Sequence, residues 1–125
     1  MTPNQLSPVW GDAVYELYIR TNLVNGSNAK PHKLHVESIK YVKAAAQAEN
    51  LRKIDDILTE EEKDVVRRGR NVQNHHVAKN ASVADYAYAT AFEALIGFLY
   101  LTDNIARLEE IIYKAIKTIE EKEEE

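Results

Sequence analysis

The sequence lacks several features, and each absence excludes a class of protein. It contains no cysteine, so neither a disulfide framework nor thiolate ligation of a metal is available. Its longest apolar run, Ala94–Leu101, is far too short to cross a bilayer. The first residues, MTPNQLS, lack the basic and apolar regions of a secretory signal. With 125 residues, the chain is expected to form one cytoplasmic domain with no membrane partner.

Common catalytic and zinc-binding patterns are also missing. The sequence has no glycine-rich phosphate loop, no supported Ser-His-Asp arrangement, and no zinc-finger or basic-zipper pattern. His32 and His35 lie three residues apart and His75 and His76 are adjacent, but no third ligand follows at a suitable spacing. A zinc site is therefore not expected.

The chain as a whole lacks an excess of basic charge, since its formal net charge is −4. The acidic excess lies near the C-terminus, in Glu109–Glu125. In contrast, Lys30–Lys53 and Lys63–Lys79 each carry more basic than acidic residues. Two basic patches on an otherwise neutral body indicate a polyanionic ligand.

What the sequence does contain is helical periodicity broken by turn residues, which predicts an all-α chain. Ser7 is predicted to cap the first helix, with Pro8 at its first position. Gly69 is predicted to end the fourth helix in the left-handed conformation, and Asp103 to cap the last helix. The predicted helices run from Ser7 to Asn25, Pro31 to about Tyr41, Val42 to about Leu58, Thr59 to Gly69, Ser82 to about Leu101, and Asp103 to about Ile119.

Two carboxylates occupy apolar surroundings. Glu93 lies in the middle of AYATAFEALIGFLYL (87–101), which is apolar on every side of a helix, and Asp12 is similarly placed in VWGDAVYE (9–16). A buried carboxylate is unfavourable unless something positive pairs with it. A shared metal ion and a buried pair with Arg or Lys are the two interpretations. Hard oxygen ligands favour magnesium or manganese, and such a site fits phosphodiester hydrolysis by a metal-activated water.

One face of the third predicted helix is polar. Lys43, Gln47 and Asn50 share this face, with Lys40 just before it. The face is either simply solvated or laid along a nucleic-acid groove. The segment 71–81, which follows the fourth helix, is long, polar and basic, and loops of this kind are often functional.

Four stretches resemble the ribonuclease III family. GDAVYE at 11–16 and TAFEALIGFLYL at 90–101 are similar to the two signature stretches of ribonuclease III catalytic domains. RRGRN at 67–71 and LHxxSxxxVxAxxQA at 34–48 resemble Mini-ribonuclease III, the branch without an appended double-stranded-RNA-binding domain. The resemblance, which spans nearly the whole chain, implies an all-α homodimer with the ribonuclease III endonuclease fold. It also implies magnesium-dependent cleavage of double-stranded RNA and, in bacteria, maturation of the large-subunit (23S) ribosomal RNA precursor.

The resemblance assigns roles to individual residues as well. Asp12 matches an essential aspartate and Glu93 an essential glutamate, and both are expected to be catalytic and to bind the metal. Pro8 and Thr90 stand where ribonuclease III proper has two further acids, which the Mini branch also lacks. The catalytic domain is expected to span residues 1–119, with 120–125 as a frayed acidic tail.

The remaining expectations concern partners. The bulky apolar face around Val9 and Trp10 is expected to form the dimer contact, although Trp10 is also compatible with a plain core position. Mn²⁺ is the expected substitute for Mg²⁺, a ribosomal protein is a further candidate partner, and DNA is not expected to bind. A non-catalytic RNA-binding or assembly module of the same fold is the alternative function. The expected RNA-binding residues are Lys40, Lys43, Gln47, Asn50, Arg67, Arg68, Arg70, Asn71, His75, His76 and Lys79.

Overall fold

The computed structural model describes residues 3–26, 28–71 and 82–124, and within these segments the chain contains helices and no strand. The predicted all-α class is therefore confirmed. None of the described helices is long and apolar enough to pass through a membrane. The helices are α1 (Pro3–Asn25), α2 (Pro31–Val42), α3 (Ala44–Ile54), α4 (Glu60–Arg70), α5 (Val83–Leu101) and α6 (Ile105–Glu124), with a 3₁₀ turn at Asp55–Ile57.

Helix α5 is the centre of the domain. It packs against α1, α3, α4 and α6, as expected for a helix that is apolar on every side. Phe92, Leu95 and Ile96 are completely buried, and each side chain of this size contributes about 1.5–3 kcal/mol of hydrophobic stabilisation. The apolar side of α6 also faces this core, with Leu108 and Ile112 fully buried.

Two glycines allow the backbones of α1 and α5 to meet directly. A Cβ atom added to Gly11 would lie 1.7 Å from the carbonyl oxygen of Glu93, and one added to Gly97 would lie 1.8 Å from that of Ser7. No side chain fits at either position, so the helices cross here only because both residues lack one. This crossing sets the position of Asp12, the residue after Gly11, beside α5.

Helix α4 begins as predicted but ends differently. Thr59 forms a complete capping box with Glu62. The prediction that Gly69 ends the helix in the left-handed conformation is wrong, because α4 continues to Arg70 and no described glycine has a positive φ. Gly69 instead packs against α5, where an added Cβ would lie 2.7 Å from the Cβ of Ala94. Helix contact, and not a turn, requires glycine at this position.

Two further predicted helix ends need correction. Helix α1 begins at Pro3, so Ser7 is not its N-cap and Pro8 lies inside the helix, where it removes one backbone hydrogen bond. Asp103 does not cap α6 but ends α5, since its φ is 59° and its N–H donates to the carbonyl of Tyr100 at 3.1 Å. Aspartate tolerates this left-handed conformation better than most residues do. Helix α5 begins at the predicted position, where Ser82 Oγ accepts the N–H of Asp85 at 3.0 Å and so caps the helix.

Candidate active site

The two acids selected from the sequence lie together. Asp12 on α1 and Glu93 on α5 share a hydrogen bond between their side chains. Burial, followed by this hydrogen bond and the charge of Asp12, raises the pKa of Glu93 to about 9. Near neutral pH the Glu93 carboxyl therefore keeps its proton and donates it to Asp12. The expectation of two buried acids is half correct, since Glu93 is partly buried while Asp12 is exposed.

The alternative interpretation, a buried ion pair, finds no support in the described segments. No lysine or arginine there forms a salt bridge with Asp12 or Glu93. The two carboxyls are instead close to each other, and a bound cation would relieve the repulsion between their charged forms.

The acids line a cavity of about 440 Å³ between α1, α3 and α5. Its other polar side chains are those of Lys43, Gln47, Tyr86 and Thr90. The Thr90 hydroxyl donates to the carbonyl of Tyr86 at 2.9 Å. Within the described residues, no third histidine or acid joins the pair to complete a cluster. We call this space the acid cavity; its full lining is Pro8, Val9, Asp12, Val42, Lys43, Ala44, Gln47, Tyr86, Ala89, Thr90 and Glu93.

The polar face expected on α3 is not an exposed face. Gln47 is 2% exposed and its Nε2 donates to the carbonyl of Val42 at 2.9 Å. Asn50 is completely buried and its Nδ2 donates to the hydroxyl of Tyr15 at 3.1 Å. Asn50 therefore belongs to the core and offers nothing to a surface groove. Gln47 lines the acid cavity, which is a role that the sequence did not indicate.

The two lysines of this region remain on the surface. Lys43 is exposed and lies on the lining of the acid cavity. Lys40 is also exposed and pairs with Glu37 at 3.2 Å. Both lysines line a second cavity of about 360 Å³ that reaches α6 at Thr118 and Ile119. Among the expected RNA-binding residues that the structure describes, only Lys43 and Gln47 line the acid cavity.

The arginines at the end of α4 lie elsewhere. Arg67 and Arg68 both pair with Asp64, at 2.6 and 3.1 Å, so part of their charge is neutralised locally. Arg70 lies over the Tyr88 ring at 5.8 Å and lines a different cavity of about 370 Å³.

Arg52, which the sequence reasoning missed, lies over the same ring at 5.0 Å and lines the same cavity as Arg70. Its distance of 18 residues from Arg70 along the chain hid this cluster. Asn71 is an exposed C-cap, and its N–H donates to carbonyls of α4. His75, His76 and Lys79 lie outside the described residues.

The expected dimer contact is an exposed apolar surface. Val9 is 61% exposed and Trp10 is 44% exposed, so Trp10 is not a plain core residue. Trp10 stacks on Tyr100 of α5 with ring centroids 5.9 Å apart. A groove of about 650 Å³ begins here and runs between α1 and α6 past Leu17 and Tyr113, which the sequence reasoning did not single out.

Comparison with known proteins identifies the class. Residues 9–104 match the family model of the ribonuclease III domain, a range that contains both acids of the cavity. A crystal structure of a protein from Fusobacterium nucleatum has the same fold, with a TM-score of 0.81 and 31% identity over 89% of this chain and 88% of that one. The protein is thus a ribonuclease III domain.

Relatives define the branch. The chain is 52% identical to the Mini-ribonuclease 3 of Thermoanaerobacter sp. (strain X514), over 89% of this chain and 78% of that protein. It is 45% identical to the Mini-ribonuclease 3 of Streptococcus pneumoniae (strain ATCC BAA-255 / R6), over 88% of each. The chain therefore belongs to the Mini-ribonuclease 3 group of the ribonuclease III family. Its activity is that of an endoribonuclease, a hydrolase whose substrate is RNA.

Proposed function

We propose that the chain cuts double-stranded RNA with a divalent metal, Mg²⁺ or in its place Mn²⁺, bound by Asp12 and Glu93. The observation that carries this proposal is the paired carboxyls in the acid cavity, where the pKa of Glu93 is raised to about 9. Burial raises this pKa most, and the hydrogen bond and charge of Asp12 raise it further, so a second negative charge is unfavourable in the cavity. A divalent cation removes that penalty by replacing the shared proton.

The chemistry of the cavity fits a hard cation. Mg²⁺ is usually bound by one or two carboxylates together with substrate phosphates, and the cavity offers two carboxyls with an exposed lysine on its lining. When bound, the ion supplies Lewis acidity toward the phosphate and lowers the pKa of a water molecule. The protein contributes the two carboxylates that hold the ion, and Lys43 contributes positive charge for a phosphate.

We expect the protein to recognise RNA through basic side chains that lie at separate places on its surface. A-form duplexes are gripped through phosphates and 2′-hydroxyls, so exposed cations at several points suit them better than one base-reading helix. Lys43 lies at the acid cavity, whereas Arg52 and Arg70 form a second group beside Tyr88. From the family resemblance we propose the large-subunit ribosomal RNA precursor as substrate, with a ribosomal protein as a candidate helper and the cytoplasm as location.

Cleavage of duplex RNA with and without Mg²⁺ tests the proposal directly. Asp12→Asn and Glu93→Gln are each expected to abolish cleavage while leaving duplex binding and the circular dichroism spectrum largely unchanged, because each change removes a metal ligand and keeps the side-chain shape. Glu16→Gln is the matched control, since Glu16 lies one turn from Asp12 and pairs with Arg20 at 2.9 Å. Near-normal turnover by either cavity variant would move the active site elsewhere.

A second function is a binding module without catalysis. The observation that favours it is the absence of a carboxylate at Pro8 and Thr90, although both line the acid cavity. Duplex binding by the unchanged protein, with no cleavage in Mg²⁺ or Mn²⁺, would select this alternative.

We also propose a homodimer whose contact is the expected face around Val9 and Trp10, extended along the groove that contains Trp10, Leu17, Tyr100 and Tyr113. Contiguous exposed apolar surface of this kind marks a contact site, and a two-fold axis lets the same surface serve both copies. Leu17, which is 64% exposed, is the residue to change.

Leu17→Glu is expected to shift the protein from dimer to monomer in sedimentation at micromolar concentration, because a desolvated charge opposes association. Val83→Glu is the matched control, since Val83 is 73% exposed but lies outside the groove. A monomeric unchanged protein, or a Leu17→Glu variant that stays dimeric, would contradict this proposal.

A further inference from the structure

Gln47 lines the acid cavity and carries a buried side-chain oxygen that has no partner in the described segments. The residue lies on α3, is 2% exposed and belongs to the lining of the cavity that contains Asp12 and Glu93. Its Nε2 donates to the carbonyl of Val42 at 2.9 Å. That bond fixes the orientation of the amide, because the flipped amide would place two carbonyl oxygens against each other. Oε1 is buried, and no group in the described segments donates a hydrogen bond to it.

Because Gln47 lines the acid cavity, a hydrogen-bond donor or a cation held in that cavity can pair with this oxygen. Buried carbonyl oxygens in native proteins are almost always paired, and an exception at a functional site calls for an explanation. The neighbouring polar groups in the described segments do not provide one, and the Thr90 hydroxyl already donates to the carbonyl of Tyr86.

The chemistry of the cavity indicates the partner. Hard divalent cations prefer about six oxygen ligands, yet the acid pair has no third acid or histidine beside it among the described residues. A neutral amide oxygen adds a ligand atom without adding a further negative charge to the pair formed by Asp12 and Glu93. We propose that Gln47 is the third oxygen donor of the metal site, with Oε1 acting as acceptor for the divalent ion or for its water shell. This inference rests on the proposed role of the acid pair as a metal site.

Binding of Mn²⁺ to the whole chain without RNA, measured by titration calorimetry, tests the inference independently of cleavage. Gln47→Leu keeps the size of the side chain and removes Oε1, so its Mn²⁺ affinity is expected to fall by about tenfold or more, the range found when supporting groups of metal sites are removed. Asn50→Leu is the matched control. Asn50 lies one turn away on α3 and also has a buried oxygen without a partner in the described segments, but it is outside the cavity. Its substitution is expected to leave Mn²⁺ affinity within twofold.

A purely structural role for Gln47 makes a different prediction. Loss of the bond to Val42 then lowers the melting temperature equally with and without Mn²⁺. The proposal requires that Gln47→Leu also lose much of the increase in melting temperature that Mn²⁺ gives the unchanged protein. Should Gln47→Leu fail to fold, Gln47→Glu decides the matter, because it retains an oxygen and adds charge. It is expected to bind Mn²⁺ more tightly than the unchanged protein, and equal or weaker binding would overturn the inference.

The same titration separates this inference from the proposed function. Asp12→Asn is expected to abolish Mn²⁺ binding. If Asp12→Asn does so while Gln47→Leu binds within twofold of the unchanged protein, the acid pair remains the metal site and only the role of Gln47 is refuted. If Asp12→Asn binds Mn²⁺ normally, the proposed metal site itself is wrong.

Discussion

The acid pair predicts that the metal-free protein becomes less stable as the pH rises. The pKa of Glu93 is about 9 in the folded chain, against an ordinary value of 4.5. Between these two values the folded state holds a proton that the unfolded state has released. The stability linked to this proton is therefore complete below about pH 4.5 and is lost as the pH rises towards 9.

The size of the effect follows from proton linkage. A difference of one bound proton changes the free energy of unfolding by about 1.4 kcal/mol per pH unit, which gives up to about 2.7 kcal/mol between pH 6 and pH 8. For a domain of this length, 1 kcal/mol corresponds to about 4 °C in melting temperature, so the expected decrease is up to about 10 °C. Other groups change charge in this interval, so the informative quantity is the difference between the unchanged protein and Glu93→Gln.

Thermal melting at pH 6, 7 and 8 in the presence of a chelator measures this difference. Glu93→Gln cannot release the proton, so its melting temperature is expected to change much less and to exceed that of the unchanged protein at pH 8. Glu16 is a half-buried acid on α1 that pairs with Arg20, and Glu16→Gln is expected to follow the unchanged protein. Saturating Mg²⁺ is expected to reverse the trend, because the ion binds the ionised pair. Parallel pH profiles for Glu93→Gln and the unchanged protein would refute the assignment of a shared proton.

Two other features of the fold and surface lead to predictions. Gly97→Ala is expected to lower the free energy of unfolding in urea by about 3 kcal/mol or more, because its Cβ would overlap the α1 backbone. The control is Gly26→Ala, which is expected to lower it little because the added Cβ meets nothing closer than 3.4 Å. Equal effects of the two changes would contradict the close crossing. Arg70→Ala is expected to lower the slope of log affinity for duplex RNA against log salt by up to about one unit. Arg67→Ala is expected to lower it less, because Asp64 already neutralises part of the Arg67 charge. An unchanged slope for Arg70→Ala would mean that RNA does not bind beside Arg70 and Tyr88.

Local signals were enough to predict most of the fold. Capping residues such as Thr59 and Ser82 act through bonds to their own helices, so the sequence alone indicates them. The full apolar character of α5 likewise predicted a central helix. The errors at Ser7, Gly69 and Asp103 share a cause: each residue type has two uses, and tertiary contact decides between them. Gly69 is the clearest case, since a glycine that packs against α5 looks in sequence like a glycine that ends a helix.

The acid pair was predictable because a charged residue in an apolar stretch of sequence is rare. The residues that surround the pair in the fold were not predictable. Hydrophobic periodicity separates polar from apolar faces, but Gln47 and Asn50 are polar residues on a buried face. Their burial depends on partners that are distant in sequence, such as Tyr15 for Asn50. The pairing of Arg52 with Tyr88 is hidden for the same reason.

The closest approach of the two helices and the chemistry of the acids have one physical origin. Gly11 and Gly97 permit backbone contact between α1 and α5, and that contact places Asp12 against Glu93. Burial raises the pKa of Glu93 most, and the proximity of Asp12 raises it further, so the doubly ionised pair is unfavourable without a cation. A wider crossing would relieve this repulsion, but it would also separate the two carboxylates that we propose bind the ion. The glycines therefore maintain an electrostatic strain in the free protein that metal binding relieves.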